Sequence, residues 1–170
     1  MPKPKISLGN ITVPDILEEG FHSDRHSGKG ADPTFPAVLG TLQKQGPGGG
    51  WNSNSATYVD FGGTGYYAVS FTKRRQDTRL LIHYGYSLYV GAATAWTIGV
   101  ALDATTHDSL IAFKNTASDH SGYSGQLLLD IATPAGLHTA TLSIKSGCGT
   151  LNQDGNDYAY VTIIELPAET

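Results

Sequence analysis

Three residues of metal-ligand type stand at alternating positions early in the chain: His22, Asp24 and His26, within the stretch FHSDRHSGKG. Imidazole nitrogens and carboxylate oxygens are ligands for zinc and other metals, and alternate residues of a strand share one face. The glycines at positions 20, 28 and 30 instead favour irregular backbone, which does not hold metal ligands rigidly. We therefore prefer to interpret this stretch as a polar contact strip for a neighbouring subunit or protein, with a metal site as the less favoured alternative. The contact strip comprises Phe21, His22, Asp24, Arg25, His26 and Lys29.

Catalytic signatures are missing from the sequence. It holds no Gly-x-Ser-x-Gly elbow, no phosphate-binding loop and no His-Glu-x-x-His motif. Asp103, Asp108 and Asp119 stand in turn-rich stretches, where aspartate is expected for local hydrogen bonding. We expect a protein that is not an enzyme, has no catalytic residue and needs no cofactor.

Composition narrows the class of protein further. The 170 residues suffice for one ordinary core, and 21 glycines with only 15% charged residues favour an all-β fold. A net charge of −4 gives no general attraction to nucleic acid. The single cysteine, Cys148, excludes an intrachain disulfide. We expect no signal peptide and no membrane insertion, because no apolar run approaches the length of about 20 residues that spans a membrane.

The chain changes character near residue 50. Six of the eight prolines and nine of the 21 glycines precede that point, and a glycine-rich hinge, Gly46 to Gly50, closes the region. We predict that residues 1–50 form an extended, mostly irregular N-terminal arm and hinge. Within it, Ala37 to Gln45 is ambiguous between a short helix and a strand.

Residues 51–170 alternate apolar and polar positions between turn signals, which predicts a jelly-roll-like antiparallel β-sandwich of about eight strands. Residues Leu80 to Val90 alternate so that six apolar side chains share one core face, and Trp96 to Leu102 provide a second such face. The predicted strands are Thr57 to Phe61, Tyr66 to Thr72, Arg79 to Gly91 (bent at Gly85), Ala95 to Asp103, Ser109 to Lys114, Gln126 to Ile131, His138 to Lys145 and Tyr158 to Leu166.

Two further surfaces follow from this pattern. The last strand carries apolar residues on both faces, which indicates either a second covering layer or burial against another subunit. Tyrosines near turns and the basic stretch from Thr72 to Arg79 suggest a surface for sugar or phosphate; the alternatives are core tyrosines and a solvated turn. The candidate subunit interface is Tyr160, Val161, Ile163 and Ile164. The candidate ligand surface is Tyr66, Tyr67, Tyr123, Arg74 and Arg75.

The stretch from Asp130 to Ala168 resembles the end of small jelly-roll domains in virion proteins of tailed bacteriophages, of the minor tail, tail-tip or head decoration type. The resemblance rests on a Pro-x-Gly-x-His-Thr turn, a glycine-rich loop and a final strand ending in Glu-Leu. The matching residues are Pro134, Gly136, His138, Thr139, Gly147, Gly149, Glu165 and Leu166.

That resemblance implies a homotrimeric virion module, synthesised in the host cytoplasm and docked on other virion proteins through residues 1–50. A minor tail or tail-tip protein in contact with the host surface is the leading expectation. A capsid decoration protein and a carbohydrate-binding module for host glycans are the alternatives.

Overall fold

Alternating apolar residues build the longest strands of the computed structural model, which describes residues 7–8, 11–12, 36–91, 94–103, 105–114, 119–129, 133–147 and 149–167. All of the regular elements within these ranges are β-strands. Their bounds are β1 Ser7–Leu8, β2 Ile11–Thr12, β3 Ala37–Gln45, β4 Trp51–Ser53, β5 Val59–Asp60, β6 Ala68–Lys73, β7 Arg79–Val90, β8 Thr94–Leu102, β9 Thr105–Lys114, β10 Asp119–Leu129, β11 Gly136–Ser146, β12 Leu151–Gln153 and β13 Tyr158–Leu166.

The chain divides into two compact units between Ala37 and Val38. In the first unit β1 and β2 form an antiparallel pair with Ser7 opposite Thr12. The second unit is an antiparallel β-sandwich, which confirms the predicted all-β, jelly-roll-like fold class. One sheet has the order β3-β13-β7-β12-β4, with β10 also paired to β7. The other has the order β5-β11-β8-β9, with β6 also paired to β11.

The core lies between the two faces that the alternation predicted. The inward side chains of β7, from Leu80 to Val90, are fully buried, and so are Ile98 and Val100 of β8. Trp96 joins them and donates a hydrogen bond from its indole Nε1 to the Tyr86 hydroxyl at 3.0 Å. This bond satisfies the polar atom that a buried indole would otherwise leave unpaired.

The structure draws the boundary of the β domain earlier than the sequence did. Ala37–Gln45 is a strand and not a helix, and it forms the edge of the six-stranded sheet beside β13. Leu39 and Leu42 of this strand pack against the core. The segment therefore belongs to the sandwich, because its aliphatic side chains find core partners that the proline- and glycine-rich flanks do not offer.

Each of the eight predicted strands corresponds to an observed one, and β13 keeps its predicted bounds. The strand predicted from Gln126 begins earlier, at Asp119, because pairing with β7 supplies its backbone partners. Gly85, where a bend was predicted, lies within the continuous strand β7, opposite Tyr160 on one side and Ser124 on the other.

Candidate subunit interface

Three neighbouring strands of the six-stranded sheet, β10, β7 and β13, carry an aliphatic row on the face that points away from the core. The strand register places Leu128 opposite Leu81, and Leu81 opposite Ile164. Leu128 is 46% exposed, and the other two side chains are half-buried. Outward positions of a sandwich are normally polar, so an aliphatic row here is typical of a surface that another molecule covers.

Tyr160 adds an aromatic ring to the same face. Its ring lies directly over Gly85, where a Cβ atom would overlap the ring carbons. The ring also makes an edge contact with His83, with centroids 5.4 Å apart, and the Tyr160 hydroxyl lies 3.4 Å from His83 Nε2. Glycine at position 85 is therefore required by the close approach of this ring.

The remaining outward positions in the middle of these strands are polar but uncharged. Gln126, His83 and Thr162 form the row beside the aliphatic one, and Ser124 lies across Gly85 from Tyr160. On the three described strands, the outward positions hold no carboxylate. We call the outward residues from Gly122 to Leu128 of β10, from Leu81 to Ser87 of β7 and from Tyr160 to Ile164 of β13 the neutral face; Arg79, at the start of β7, lies outside it.

A histidine and two aspartates form the polar rim of the neutral face. His120 Nδ1 lies 3.0 Å from Asp157 Oδ1, and the other Asp157 oxygen accepts the backbone N–H of Asp154 at 3.0 Å. The Asp157 carboxylate raises the pKa of His120 through this hydrogen bond. The ligand-type atoms of the three residues lie within 4.8 Å of one another. Because both oxygens of the buried Asp157 already accept hydrogen bonds, the arrangement acts as a clamp on the turn between β12 and β13.

The predicted interface residues separate onto two faces. Tyr160 and Ile164 lie on the neutral face, as part of the partly exposed surface. Val161 and Ile163 are buried in the core of the same sandwich, so their place in the candidate interface was wrong. A strand alternates its side chains, and the sequence alone did not show which face met the other sheet.

The outer face of the five-stranded sheet has a different chemistry. Thr139 and Thr141 of β11 lie beside Ser70 and Ala68 of β6. The hydroxyls of Ser70 and Thr139 are 3.3 Å apart. On its other side, β11 places Thr141 opposite Ala101 of β8. Small hydroxyl and methyl side chains of this kind are well suited to contact with solvent. We call this central patch, formed by Ala68, Ser70, Thr139, Thr141 and Ala101, the hydroxyl face; the outward residues Leu137 and Lys145 toward the ends of β11 lie outside it.

The tyrosines of the predicted ligand surface are not brought together as one surface. Tyr67 is fully buried beside Phe61. Tyr123 stacks on the core ring of Tyr86 and meets Trp96 edge-on. Both rings therefore take part in internal packing, Tyr67 fully buried and Tyr123 partly so.

Tyr66, the third of these tyrosines, is half-buried and makes internal contacts of its own. The Lys44 ammonium lies 3.5 Å from the centre of its ring. The Tyr66 hydroxyl donates to the carbonyl of Gln45 at 3.1 Å. One face of the ring is thus occupied by a cation of the same chain.

Most cations of the basic stretch from Thr72 to Arg79 make contacts within the chain. Arg75 forms a two-point pair with Asp77, at 2.9 and 2.7 Å. Lys73 is buried and donates to three backbone carbonyls, those of residues 75, 76 and 133. Arg74 keeps an exposed side chain. The predicted charge cluster is therefore reduced to Arg74. Its described hydrogen bonds use the backbone N–H and leave the side chain out.

A buried carboxylate that sequence reasoning missed organises this loop. Glu165 of β13 is fully buried and accepts the backbone N–H groups of Arg74 and Arg75, at 3.1 to 3.2 Å. It also accepts the hydroxyl of Thr78. An acid in an otherwise apolar strand was the available signal, because buried acids occur with dedicated donors.

His138 is a structural histidine with both ring nitrogens engaged, as its core-facing position predicts. Nδ1 lies 2.8 Å from Asp103 Oδ2, and Nε2 lies 2.9 Å from the carbonyl of Pro134. The hydrogen bond between His138 and Asp103, and that from the Thr139 amide, lower the pKa of Asp103. Asp103 has a left-handed φ of 52°, so the two hydrogen bonds hold a strained turn in place.

The predicted contact strip and metal alternative, Phe21 to Lys29 with His22, Asp24 and His26, lie outside the described residues. Within the described part of the chain, no helix is long and apolar enough to cross a membrane.

Comparisons with known proteins find structural likeness only. No protein-family model matches the sequence, and a search of curated proteins found no match. PRD1 vertex protein P5 is 11% identical, with 78% of this chain and 99% of that chain covered and a TM-score of 0.47. The structure of the infectious bursal disease virus Gt strain is 9% identical, with 99% and 43% covered and a TM-score of 0.48. The EclA C-terminal domain, a sugar-binding protein, is 16% identical, with 94% and 99% covered and a TM-score of 0.34.

Proposed function

We propose that this chain is a non-enzymatic structural protein of a bacteriophage virion, a β-sandwich module that assembles as a homotrimer. The observation that carries the proposal is the neutral face, with its aliphatic row of Leu81, Leu128 and Ile164 and the ring of Tyr160. The resemblance of residues 130–168 to the ends of virion jelly rolls supports the virion setting.

A second copy of the chain is the occupant that the neutral face favours. A strongly charged partner would lose hydration there without meeting a carboxylate. Another copy offers the same aliphatic, tyrosine and histidine side chains, which bury one another without unpaired charge. A face that meets its own copy is satisfied by a two-fold dimer or, where it points toward the axis, by a three-fold ring, and we choose the ring because the resemblance implies a trimer.

The hydrogen bonds of the buried ionisable groups favour a structural role over an enzymatic one. Lys73, Glu165, His138 and Asp157 are all buried and all engaged in hydrogen bonds that hold loops or turns. A catalytic acid or base must instead face its substrate within hydrogen-bond reach. These groups are therefore assigned to the architecture of the sandwich.

Attachment to the particle falls to the N-terminal region in this proposal. Because β3 is an edge strand of the sandwich, the attaching segment is best tested as residues 1–35, not as residues 1–50. We expect a chain lacking residues 1–35 to remain folded and oligomeric but to be missing from particles. Normal incorporation of the truncated chain would overturn the attachment role.

The direct test of a virion role is mass spectrometry of density-purified phage particles, followed by immunogold electron microscopy with an antibody to this chain. We expect the chain at fixed copy number, with gold on the tail or its tip. Label on the capsid surface would favour the decoration alternative. Purified particles without the chain would contradict the virion role altogether.

The carbohydrate-binding alternative has less support from the described residues. Tyr158 is the large aromatic that stays well exposed there, while the predicted stacking tyrosines pack internally. A glycan array separates the two functions. Saturable binding that a Tyr158→Ala variant loses would favour glycan recognition, and a blank array would favour the structural role.

A further inference from the structure

A histidine, His83, lies at the centre of the neutral face. It belongs to β7, the middle strand of the three, and the register places Gln126 of β10 on one side of it and Thr162 of β13 on the other. Along β7 its outward neighbours are Leu81, in the aliphatic row, and Gly85. A molecule that covers the neutral face therefore covers His83 as well.

The His83 ring is half-buried in the single chain, so solvent still reaches it. Its described ring contact is with Tyr160, whose hydroxyl lies 3.4 Å from Nε2. The unprotonated nitrogen of a neutral imidazole accepts the hydrogen of such a hydroxyl, whereas an imidazolium has no acceptor nitrogen. A protonated ring here is hydrated by solvent in the free chain, and it loses that hydration when a partner covers the face.

No carboxylate faces His83 from the described residues of its own strand or of the two neighbouring strands. The outward side chains around it are Ser124, Gln126 and Leu128 of β10, and Tyr160, Thr162 and Ile164 of β13. Tyr160 is the titratable group among these, and a phenol keeps its proton at neutral and acidic pH. Along β7 the nearest outward charge is the cation of Arg79, which lies about 13 Å away at the usual rise of a strand.

The charged groups of the surrounding elements are engaged elsewhere. β3, on the far side of β13, has Lys44 as its charged residue, and that ammonium lies over the ring of Tyr66. At the rim, the carboxylate of Asp157 is hydrogen-bonded to His120. A proton on His83 therefore meets no counter-charge within its own chain.

We infer that His83 makes the contact between copies depend on pH: protonation of its ring separates the copies, and loss of the proton allows them to assemble. This dependence rests on the proposed function, because the neutral face is taken as the subunit contact. Covering an imidazolium removes its hydration and offers no carboxylate in exchange. Closed symmetry multiplies the effect, because every copy buries the same cation.

The direction of the pH dependence follows from proton linkage. Imidazoles ordinarily take up a proton near about pH 6.5. Because burial without a counter-charge favours the neutral ring, the assembled state binds fewer protons than the separated chains. The assembly is therefore most stable above the range in which the free chains titrate, and it weakens as pH falls through that range. With one such ring per copy, the dissociation constant of a trimer rises by up to about 1000-fold for each pH unit below the range.

The test is the dissociation constant of the full chain, measured by sedimentation equilibrium from about pH 7.5 to about pH 5, across the range in which imidazoles titrate. We expect trimers at the upper end and folded single chains at the lower end, with an unchanged circular dichroism spectrum. The slope should approach about three protons per trimer, one from each copy. A trimer with a constant dissociation constant would overturn the inference and leave the proposed function intact. A chain that is monomeric at every pH would overturn both.

Variants identify the group that takes up the proton. His83→Gln keeps a polar side chain that cannot be charged, and its dissociation constant should lose the dependence on pH, whatever the strength of its trimer. His83→Lys carries a permanent charge and should be monomeric, yet folded, across the whole range. His120→Gln, at the rim, is the matched control and should dissociate in acid as the wild type does. Acid dissociation that persists unchanged in His83→Gln, or that His120→Gln removes, would contradict the assignment.

Discussion

The neutral face and the hydroxyl face are built on the same kind of surface, the outside of an antiparallel sheet, yet they differ in chemistry. The neutral face holds leucine, isoleucine and a tyrosine that crosses a glycine. The hydroxyl face holds threonine, serine and alanine. Both sheets bury their inner side chains equally well. The difference therefore does not arise from the core and points to what each face meets outside it.

Solvent alone does not explain the neutral face. Threonine and serine satisfy strand propensity and remain hydrated, so they were available to both sheets. Leucine and isoleucine in the same positions leave apolar area in water, which is unfavourable by about 25 cal/mol per Å² unless a partner covers it. The proposed function therefore places subunit contact on the neutral face and solvent on the hydroxyl face.

The largest expected effect comes from removing a carboxylate on which both sheets depend. Glu165 lies in the six-stranded sheet and holds the loop that leads from β6 of the other sheet to β7. We expect Glu165→Ala to cost about 3–5 kcal/mol in the free energy of unfolding, because buried donors lose their acceptor. Urea denaturation measures this cost. Asp77→Ala, at an exposed pair on the same loop, should change little. Equal effects of the two variants would contradict the assigned role.

A smaller loss of stability should distinguish two glycines of the neutral face, Gly85 and Gly122. Gly85→Ala places a methyl group in the ring of Tyr160, whereas the nearest atom to a Cβ on Gly122 is 3.8 Å away. We expect Gly85→Ala to cost about 1–3 kcal/mol by overpacking, and Gly122→Ala to cost clearly less. Thermal unfolding of the two variants checks the difference. If Tyr160→Ala in the Gly85→Ala background restored no stability, the ring would not be the cause.

The smallest effects concern pH and should have opposite directions in the two sheets. The pKa of His120 is raised in the folded state, so its contribution is fully present below the unfolded pKa and is lost as pH rises through the folded pKa. The pKa of Asp103 is lowered, so its contribution is present above the unfolded pKa and is lost as pH falls through the folded pKa. Partial exposure limits each to about 1 kcal/mol or less.

His120→Asn and Asp103→Asn, followed by thermal unfolding across pH, check these directions. The stability lost in His120→Asn should be greatest at acidic pH and should fade as pH rises. That lost in Asp103→Asn should be greatest near neutral pH and should fade as pH falls. The same pH trend in both variants would contradict one of the two assignments.

Much of the fold follows from alternation in the sequence. The strands β7 and β8 are long, carry apolar residues at alternate positions and are confirmed close to their predicted bounds, and β13 is confirmed from apolar residues on both of its faces. β4 and β12 have three residues each, too few to show a period, and exist through pairing with each other. The first half of β10 reads as a turn, because glycine and serine dominate it, and pairing with β7 overrides that local preference.

The candidate sites were less accessible to sequence reasoning than the fold. Tyr160 and Ile164 were proposed as interface residues because aliphatic and aromatic residues on both faces of one strand are visible in the sequence. The separation of Val161 and Ile163 into the core depends on which face meets the other sheet, a tertiary property. Glu165 and Arg74 are 91 positions apart in the sequence, so their contact leaves no local pattern.

The most direct test of the central claim is the molar mass of the purified chain by light scattering, for the wild type and two matched variants. Leu128→Lys places a charge on the neutral face, and Thr141→Lys places the same charge on the hydroxyl face. We expect a trimer for the wild type and for Thr141→Lys, and a folded monomer for Leu128→Lys. A monomeric wild type, or a trimer that Thr141→Lys dissociates and Leu128→Lys leaves intact, would contradict this expectation.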